Sequence, residues 1–212
     1  MRRLFASTAL LLFTLTATAA PPPSSLVRVR ILTSEGPIVV ALEAKRAPKT
    51  TANFLAYVDD GRFDGTAIYS SARRKADPKF GFIQGGIGTD ARRILPSPPL
   101  EPTNRTGIRH VNGAISMAHG SNPDSATGNF SIMVGDNPGL DAKAGSRGFA
   151  AFGHVVSGMD VVKRILGKPT CCGRDAMRGQ MIQPPVKLIR VVRLDGTPQP
   201  TGLPKPWTLG LR

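Results

Sequence analysis

The sequence predicts a mainly β domain with about eight short strands and two helices, arranged as a barrel or a sandwich. Short segments in which apolar and polar residues alternate recur along the chain, as expected for strands with one buried face. The 23 glycines and 19 prolines among 212 residues favour many turns over long helices. Strands and helices do not alternate regularly, which argues against a parallel sheet.

The first two strands form a predicted hairpin. Val27, Val29 and Ile31 alternate with arginines, which is typical of a half-buried strand. A turn at residues 34–36 then leads into a returning strand over residues 37–42.

The predicted first helix extends from Pro48 to Asp59. Proline is favoured in the first turn of a helix, and the apolar residues from Phe54 to Val58 have helical spacing. Gly61 supplies a C-terminal stop signal.

The later segments predict six further strands, a second helix and two long loops. The loops are expected at residues 87–108 and 135–147, and the helix at residues 159–165. The strands are expected at residues 67–70, 82–84, 113–118, 129–134, 148–156 and 186–194.

The first residues have the pattern of an export signal. Arg2 and Arg3 precede an apolar stretch over residues 4–16, which is too short to span a bilayer. Small residues at positions 17–19 suit a cleavage site, so we expect a signal peptide at residues 1–19. An uncleaved anchor is the alternative. Export would lead to the periplasm in a Gram-negative source.

The rest of the chain divides into three predicted parts. A Pro/Ser linker at residues 20–25 precedes a folded domain at residues 26–194, and a proline-rich tail follows at residues 195–212. No second apolar run of membrane length occurs, so we do not expect the mature chain to be membrane-embedded.

Charge and cysteine content bear on partners. The formal net charge is +14, and it falls to +12 without Arg2 and Arg3, when 26 basic and 14 acidic residues remain. The basic residues are scattered and aromatics make up 6%, so we expect no specific nucleic-acid site. Cys171 and Cys172 are adjacent and could be free, bridged to each other or bridged to another chain, and their spacing does not suit zinc.

The order of several motifs resembles that of the cyclophilin-type peptidyl-prolyl isomerases. Residues 47–54 resemble the family's first helix, usually written P-K-T-x-x-N-F, and residues 63–66 its Y-D-G-T turn. Residues 113–118 are very close to G-x-[IL]-S-M-A. Further motifs follow in the family's order at residues 82–86, 129–132, 140–141, 149–155 and 158–162.

The resemblance implies an eight-stranded antiparallel barrel capped by two helices, with the active groove on the outside of the barrel. It also implies cis–trans isomerisation of X-Pro bonds without a cofactor. The expected partners are proline-containing polypeptides, and we expect a monomer. No bond is broken, so catalysis needs an apolar proline pocket and donors that favour the twisted amide over the planar one.

Matching the motifs residue by residue identifies the candidate site. Gln84 and Ala118 agree with the family pattern, whereas Asn129 stands for a glutamine, Ser131 for a phenylalanine and Phe149 for a histidine. The resemblance implies a catalytic role for Gln84. It implies substrate contacts for Phe82, Ala118, His119, Asn129, Ser131, Leu140, Phe149 and Ser70.

The family's groove arginine is missing from its expected place. Ungapped matching from the Y-D-G-T turn puts Ser70 at this position, and a neutral hydroxyl cannot supply the same charge-assisted donor. The chain has an insertion before Gln84, so we expect Arg73 or Arg74 to reach back into the groove as a catalytic donor, unless both are solvated loop residues.

Two functions follow. The first is an exported isomerase that assists folding, and the alternative is a cyclophilin-fold module that binds proline-containing peptides with little or no catalysis. A hydrolase is disfavoured: Ser116, His119 and Asp124 are the residue types of a triad, but Ser116 lies in a predicted strand without a nucleophile elbow.

Overall fold

The computed structural model describes residues 26–208 and contains nine strands within that range. The predicted leader and linker at residues 1–25 lie outside the described residues. The strands are β1 (Leu26–Thr33), β2 (Gly36–Glu43), β3 (Ala67–Arg73), β4 (Gly81–Gly86), β5 (Ala114–Met117), β6 (Asn129–Val134), β7 (Ala151–Ser157), β8 (Thr170–Cys171) and β9 (Met181–Arg193).

Eight of these strands close into an antiparallel barrel. Their order is β1-β2-β7-β5-β6-β4-β3-β9, and β9 closes the ring by pairing with β1. The two-residue β8 pairs with the start of β9 beside the barrel. The predicted mainly β barrel is therefore confirmed.

Two helices close the ends of the barrel, as predicted. They are α1 (Pro48–Asp59) and α3 (Met159–Leu166), and a single additional turn, α2 (Thr103–Thr106), lies in the long loop between them. On α1, the Phe54 ring packs against Phe63, Phe130 and Phe152 at centroid distances of 5.0, 5.5 and 5.3 Å. The apolar face of α3 is buried against the other end of the barrel through Val161, Val162, Ile165 and Leu166.

The N-terminus of α1 is capped by a residue from the long loop. Ala47 at the cap position has no side-chain acceptor. The Glu101 carboxylate instead accepts hydrogen bonds from the backbone N–H groups of Lys49 (3.2 Å) and Thr50 (2.7 Å). A carboxylate there satisfies free N–H groups and interacts favourably with the helix dipole. Residues 87–108 are thus tied to the barrel by this cap.

The element boundaries differ from prediction mainly at the C-terminal end. Strand β9 begins at Met181, ahead of the predicted start at Val186, and the short β8 pairs with its first residues. The tail, expected to be extended, packs on the barrel, and the Trp207 indole is buried beneath the guanidinium groups of Arg62 and Arg93. Within residues 26–208, no helix is long and apolar enough to cross a membrane.

Candidate active site

A groove of about 850 Å³ opens on the outer face of the barrel. Strands alternate the direction of their side chains, and Ile83, Ile115 and Ile132 point into the core. Their neighbours on β4, β5 and β6 therefore point outward into the groove. Of the outward-facing side chains on these strands, those of Phe82, Gln84, Ser116, Asn129, Ser131 and Met133 line the groove.

Most of the predicted site residues come together in this groove. Gln84 lies on β4, and side chains from two loops form the walls. The predicted substrate contacts that line the groove are Phe82, Ala118, His119, Asn129, Ser131, Leu140 and Phe149. The lining is largely apolar, with a few polar groups, as is usual for a site that binds an apolar side chain in a defined orientation.

The glycines after Gln84 bring β4 close to its neighbours. A Cβ on Gly85 would lie 2.9 Å from Ile68 Cγ1 and 3.0 Å from the carbonyl oxygen of Ala67, so a side chain would displace β3. Gly86 has a φ of +124°, and a Cβ there would lie 2.1 Å from the carbonyl oxygen of Gly128. Both positions therefore require glycine.

Ser70 does not line the groove, which corrects the prediction that it contacts substrate. Its side chain is fully buried, and its Oγ has no hydrogen-bond partner within the described part of the chain. Ile68 pairs with Gly85 and Ser70 pairs with Gln84, so Tyr69 is the extra residue of a bulge in β3. Because paired residues point to the same face of a sheet, Ser70 lies on the side of β3 that Gln84 occupies, but it is covered.

Neither Arg73 nor Arg74 enters the groove, so the expectation that one of them reaches back is not met. The Arg73 guanidinium donates to Thr170 Oγ1 at 3.0 Å. The Arg74 guanidinium donates to the Asp136 carbonyl oxygen and lies 5.7 Å from the Phe80 ring centre. These contacts hold both groups outside the set of side chains that line the groove.

Tyr69 is the groove residue that the motif comparison missed. Its ring lines the groove, and its hydroxyl accepts a hydrogen bond from Gln84 Nε2 at 3.0 Å and donates to Asn129 Oδ1 at 3.2 Å. Burial raises the pKa of this hydroxyl, and the hydrogen bond from Gln84 partly offsets the rise. Strand alternation was a signal that could have found it, because the residue after the core residue Ile68 is expected to face outward.

His119 and Phe149 form one wall of the groove as a stacked pair. Their ring centroids are 4.2 Å apart and the planes are inclined by 20°. The two His119 ring nitrogens lie 2.7 Å from the Gly120 carbonyl oxygen and 3.0 Å from that of Gly148. These contacts hold the imidazole against Phe149 and leave the shared apolar face toward the groove.

A buried series of hydrogen bonds supports the loop that carries Leu140. His110 Nε2 lies 2.8 Å from Ser116 Oγ, and His110 Nδ1 lies 2.7 Å from Asp141 Oδ1. Asp141 follows Leu140, so this series ties the loop that carries Leu140 to β5. Burial lowers the pKa of His110, and the neighbouring Asp141 partly counters that effect.

The hydrogen-bond network of Ser116, His110 and Asp141 does not have the surroundings of a hydrolase active site. Ser116 lies within β5 and is 2% exposed. The next two backbone N–H groups, of Met117 and Ala118, donate to the carbonyl oxygens of Ala150 and Asn129. Neither is free to stabilise an oxyanion, which an acyl-transfer site requires. This hydrogen-bond network is consistent with a structural role.

Methionines and a disulfide-bearing loop form the remaining side of the groove. Met177 and Met181 line it together with Met133. Cys171 and Cys172, left unassigned by the sequence, form a disulfide with each other, and Cys171 pairs with Met181 between β8 and β9. Within residues 26–208, no group of three or more histidine, cysteine or acidic side chains is arranged to hold a metal ion.

Comparison with solved structures identifies the fold. A Cryptosporidium parvum cyclophilin-type peptidyl-prolyl cis-trans isomerase, crystallised in the presence of the dipeptide Ala-Pro, superposes with a TM-score of 0.59 at 22% identity. The match covers 80% of this chain and 99% of that chain. At this level of identity, the similarity establishes the barrel fold.

Sequence comparison identifies the family. The family model described as cyclophilin type peptidyl-prolyl cis-trans isomerase matches residues 28–192. A peptidyl-prolyl cis-trans isomerase of Acinetobacter baylyi is 34% identical over 163 residues, which are 77% of this chain and 83% of that protein. Peptidyl-prolyl cis-trans isomerase A of Dickeya dadantii is 38% identical over 137 residues, 65% of this chain and 70% of that protein. The chain belongs to the cyclophilin-type peptidyl-prolyl cis-trans isomerases.

Proposed function

We propose that this isomerase acts on X-Pro bonds of exported polypeptides and assists their folding after export. The observation that carries the choice of site is the groove itself, which combines apolar walls with the amide of Gln84 at its floor. An X-Pro bond isomerises in tens to hundreds of seconds unaided, which is slow enough to limit folding. Export is supported by the charged, apolar and small-residue pattern of residues 1–19.

The groove suits a proline-containing segment in an extended conformation. Phe82, Leu140 and Phe149 are partly exposed in the groove and offer apolar surface for the proline ring. The reaction twists an amide without breaking a bond, so the site needs shape, apolar contact and hydrogen-bond donors rather than a nucleophile. We propose Gln84 and Asn129 as polar contacts to the peptide, and Phe82, Ala118, His119, Ser131, Leu140 and Phe149 as its other contacts.

The first experiment measures isomerisation directly. Magnetisation exchange on a short X-Pro peptide should show faster cis–trans exchange with the purified protein than without it. Peptide binding without any rate enhancement at high protein concentration would favour the alternative of a binding module. Within residues 26–208 no guanidinium group lines the groove, which is the reason to test that alternative.

A second experiment tests export and the role in folding. The protein expressed with its leader should be recovered outside the cytoplasm with Ala20 as its first residue, and it should accelerate a proline-limited refolding phase of an exported protein. Recovery of the unprocessed chain in the cytoplasm would contradict export. Sedimentation of the purified protein should give the mass of a monomer.

A further inference from the structure

We propose that the Tyr69 hydroxyl is the hydrogen-bond donor that favours the twisted X-Pro amide in this isomerase, in place of the missing guanidinium group. The inference rests on the proposed function, because it takes the groove as the place where isomerisation occurs. It names a catalytic residue that the family motif does not predict at this position.

Tyr69 lies at a bulge in β3 and lines the groove. Ile68 faces the core, and strand alternation turns the next side chain, that of Tyr69, outward. Tyr69 is the extra residue beside Ser70, which pairs with Gln84, and Tyr69 lines the groove whereas Ser70 is fully covered. The position before Ser70 therefore supplies a phenol to the groove.

The hydrogen bonds of Tyr69 leave its proton available to a ligand. Asn129 Oδ1, which accepts from the Tyr69 hydroxyl at 3.2 Å, already accepts from the Gly88 N–H at 2.8 Å. Asn129 Nδ2 in turn donates to the Gly88 carbonyl oxygen at 2.9 Å, which fixes the orientation of the amide. When the Tyr69 hydroxyl turns away, Asn129 still has its two hydrogen bonds to Gly88. The hydroxyl can therefore rotate toward a bound peptide at little cost in free energy.

Gln84 strengthens Tyr69 as a donor. Its Nε2 donates to the phenol oxygen at 3.0 Å. A hydroxyl that accepts a hydrogen bond becomes a better donor, because hydrogen bonds in a chain polarise one another. Gln84 is thus a positioning residue for Tyr69 as well as a groove residue.

The other polar groups nearby are less suited to the task. The Arg73 and Arg74 guanidinium groups are held outside the groove. The Ser116 hydroxyl is engaged with His110, and Gln180 Nε2 donates to the Ala176 carbonyl oxygen. Both ring nitrogens of His119 face backbone carbonyl oxygens. Among the described groove residues, Tyr69 has a hydroxyl next to Gln84 whose proton is held only by a 3.2 Å hydrogen bond to Asn129 Oδ1.

The chemistry requires a donor aimed at the proline nitrogen. In the planar amide, the nitrogen lone pair is delocalised into the carbonyl group. Twisting the C–N bond localises that lone pair on nitrogen, which then becomes a hydrogen-bond acceptor. A donor to this nitrogen therefore stabilises the twisted state more than the planar state, and that difference is what accelerates the reaction. No proton is transferred and no covalent bond forms.

The proton stays on Tyr69 across the neutral range. Burial raises the pKa of its hydroxyl above the ordinary value of 10.0. A neutral phenol is a weaker donor than a guanidinium, so the contribution of Tyr69 should be smaller than that of a charge-assisted donor.

The test compares Tyr69→Phe with the unaltered protein. Magnetisation exchange on an X-Pro peptide should give a kcat/KM lower by about tenfold or more, because one transition-state donor is lost. The peptide Kd, measured by chemical-shift titration, should stay within about twofold, because the ring and its apolar contacts remain. Tyr57→Phe is the matched control: it removes the phenol oxygen that accepts from the Leu95 N–H in the core, and it should leave kcat/KM unchanged.

A second substitution tests the proton itself. Fluorinated tyrosine introduced at position 69 ionises at lower pH than tyrosine does. Isomerase activity should then fall as the pH rises through the ionisation of that phenol, because a phenolate cannot donate, while the unaltered protein keeps its activity over the same range.

Four results would overturn the inference. If Tyr69→Phe retains full kcat/KM, or if its kcat/KM and its peptide affinity fall in the same proportion, Tyr69 is not a transition-state donor. If Arg73→Ala combined with Arg74→Ala abolishes activity while Tyr69→Phe does not, an arginine is the donor after all. An unaltered protein that fails to accelerate any X-Pro peptide would remove the proposed function first, and this inference with it.

Discussion

The Nε2 atom of His110 lies 2.8 Å from the Oγ atom of Ser116, and both side chains are buried in the wall beneath the groove. The opposite ring nitrogen contacts Asp141, and the His110 backbone N–H also donates to Asp141 Oδ1 at 3.1 Å. One histidine therefore joins β5 to the loop that carries Leu140. A residue so placed makes the stability of the protein depend on pH.

Acidification should destabilise the protein through His110. Burial lowers its pKa in the folded state below the ordinary value of 6.5, so the unfolded chain binds the proton more readily. The free energy of unfolding contributed by this group is therefore fully present above pH 6.5 and is lost as the pH falls through the folded-state pKa.

Urea unfolding between pH 7.5 and about pH 5 measures this effect. His110→Gln should show a shallower loss of stability on acidification than the unaltered protein. His154→Gln, at an exposed histidine on β7, is the matched control and should keep the original slope. Equal slopes for all three proteins would contradict the role assigned to His110.

Replacing Ser70 by alanine should stabilise the fold or leave it unchanged. Its Oγ is buried without a hydrogen-bond partner among the described residues, and an unsatisfied buried hydroxyl costs about 1–3 kcal/mol. Ser70→Ala should therefore raise the free energy of unfolding by up to about 1 kcal/mol in urea titrations.

Replacing Ser70 by arginine should instead destabilise the protein by several kcal/mol, on the order of the cost of an unpaired buried charge. The substitution would restore the family's residue in the aligned sequence, but position 70 is fully covered, so the guanidinium group would be buried without a partner. A stable Ser70→Arg protein with increased isomerase activity would show that a side chain at position 70 can reach the groove.

Gly86 should not tolerate a side chain. Its φ of +124° is strained for alanine, and the new Cβ would lie 2.1 Å from the Gly128 carbonyl oxygen. Backbone strain and overpacking each cost about 1–3 kcal/mol, so Gly86→Ala should lower the free energy of unfolding by about 2–6 kcal/mol. Gly139→Ala is the control, because a Cβ there has nothing within 4 Å, and it should change stability by less than about 0.5 kcal/mol. Similar urea midpoints for both variants would be inconsistent with the close approach of β4 and β6.

The C-terminal tail should contribute to stability through Asp60. Its carboxylate and the Arg62 guanidinium are buried and 2.8 Å apart, and Thr201 donates to the carboxylate through its N–H and its hydroxyl. Burial opposes ionisation of Asp60, but the hydrogen bonds from Thr201 and Arg62 outweigh it and lower the pKa of the carboxyl group.

Asp60→Asn should cost about 3–5 kcal/mol, because it leaves the buried Arg62 without its counter-charge. Asp160→Asn breaks an ion pair with Arg164 in which both side chains are exposed, and it should cost less than about 1 kcal/mol. Thermal and urea unfolding of both variants measure the difference. Equal losses of stability in the two variants would indicate that the contacts of Asp60 with Arg62 and the tail contribute no more than an exposed ion pair.

Local patterns in the sequence predicted most of the secondary structure. The alternation around Val29 is sufficient to predict β1, and the proline at position 48 marks the start of α1, because strand periodicity and helix start signals depend on neighbouring residues. The order of the motifs also predicted the barrel, and most of the site residues matched to the motifs line the groove. The errors lie where burial depends on distant segments, as at Ser70, or where such segments meet.

The sequence by itself determined the barrel, its two closing helices and the composition of most of the groove, because these follow from periodicity and motif order. Tertiary structure alone decided that Tyr69 lines the groove while Ser70 is covered, since burial at these positions depends on segments that are distant in the sequence. It also decided the partners of His110 and Asp60, because Asp141 is 31 residues from His110 and Thr201 is 141 residues from Asp60. Contacts at such separations depend on how the whole barrel closes, and no local pattern encodes them.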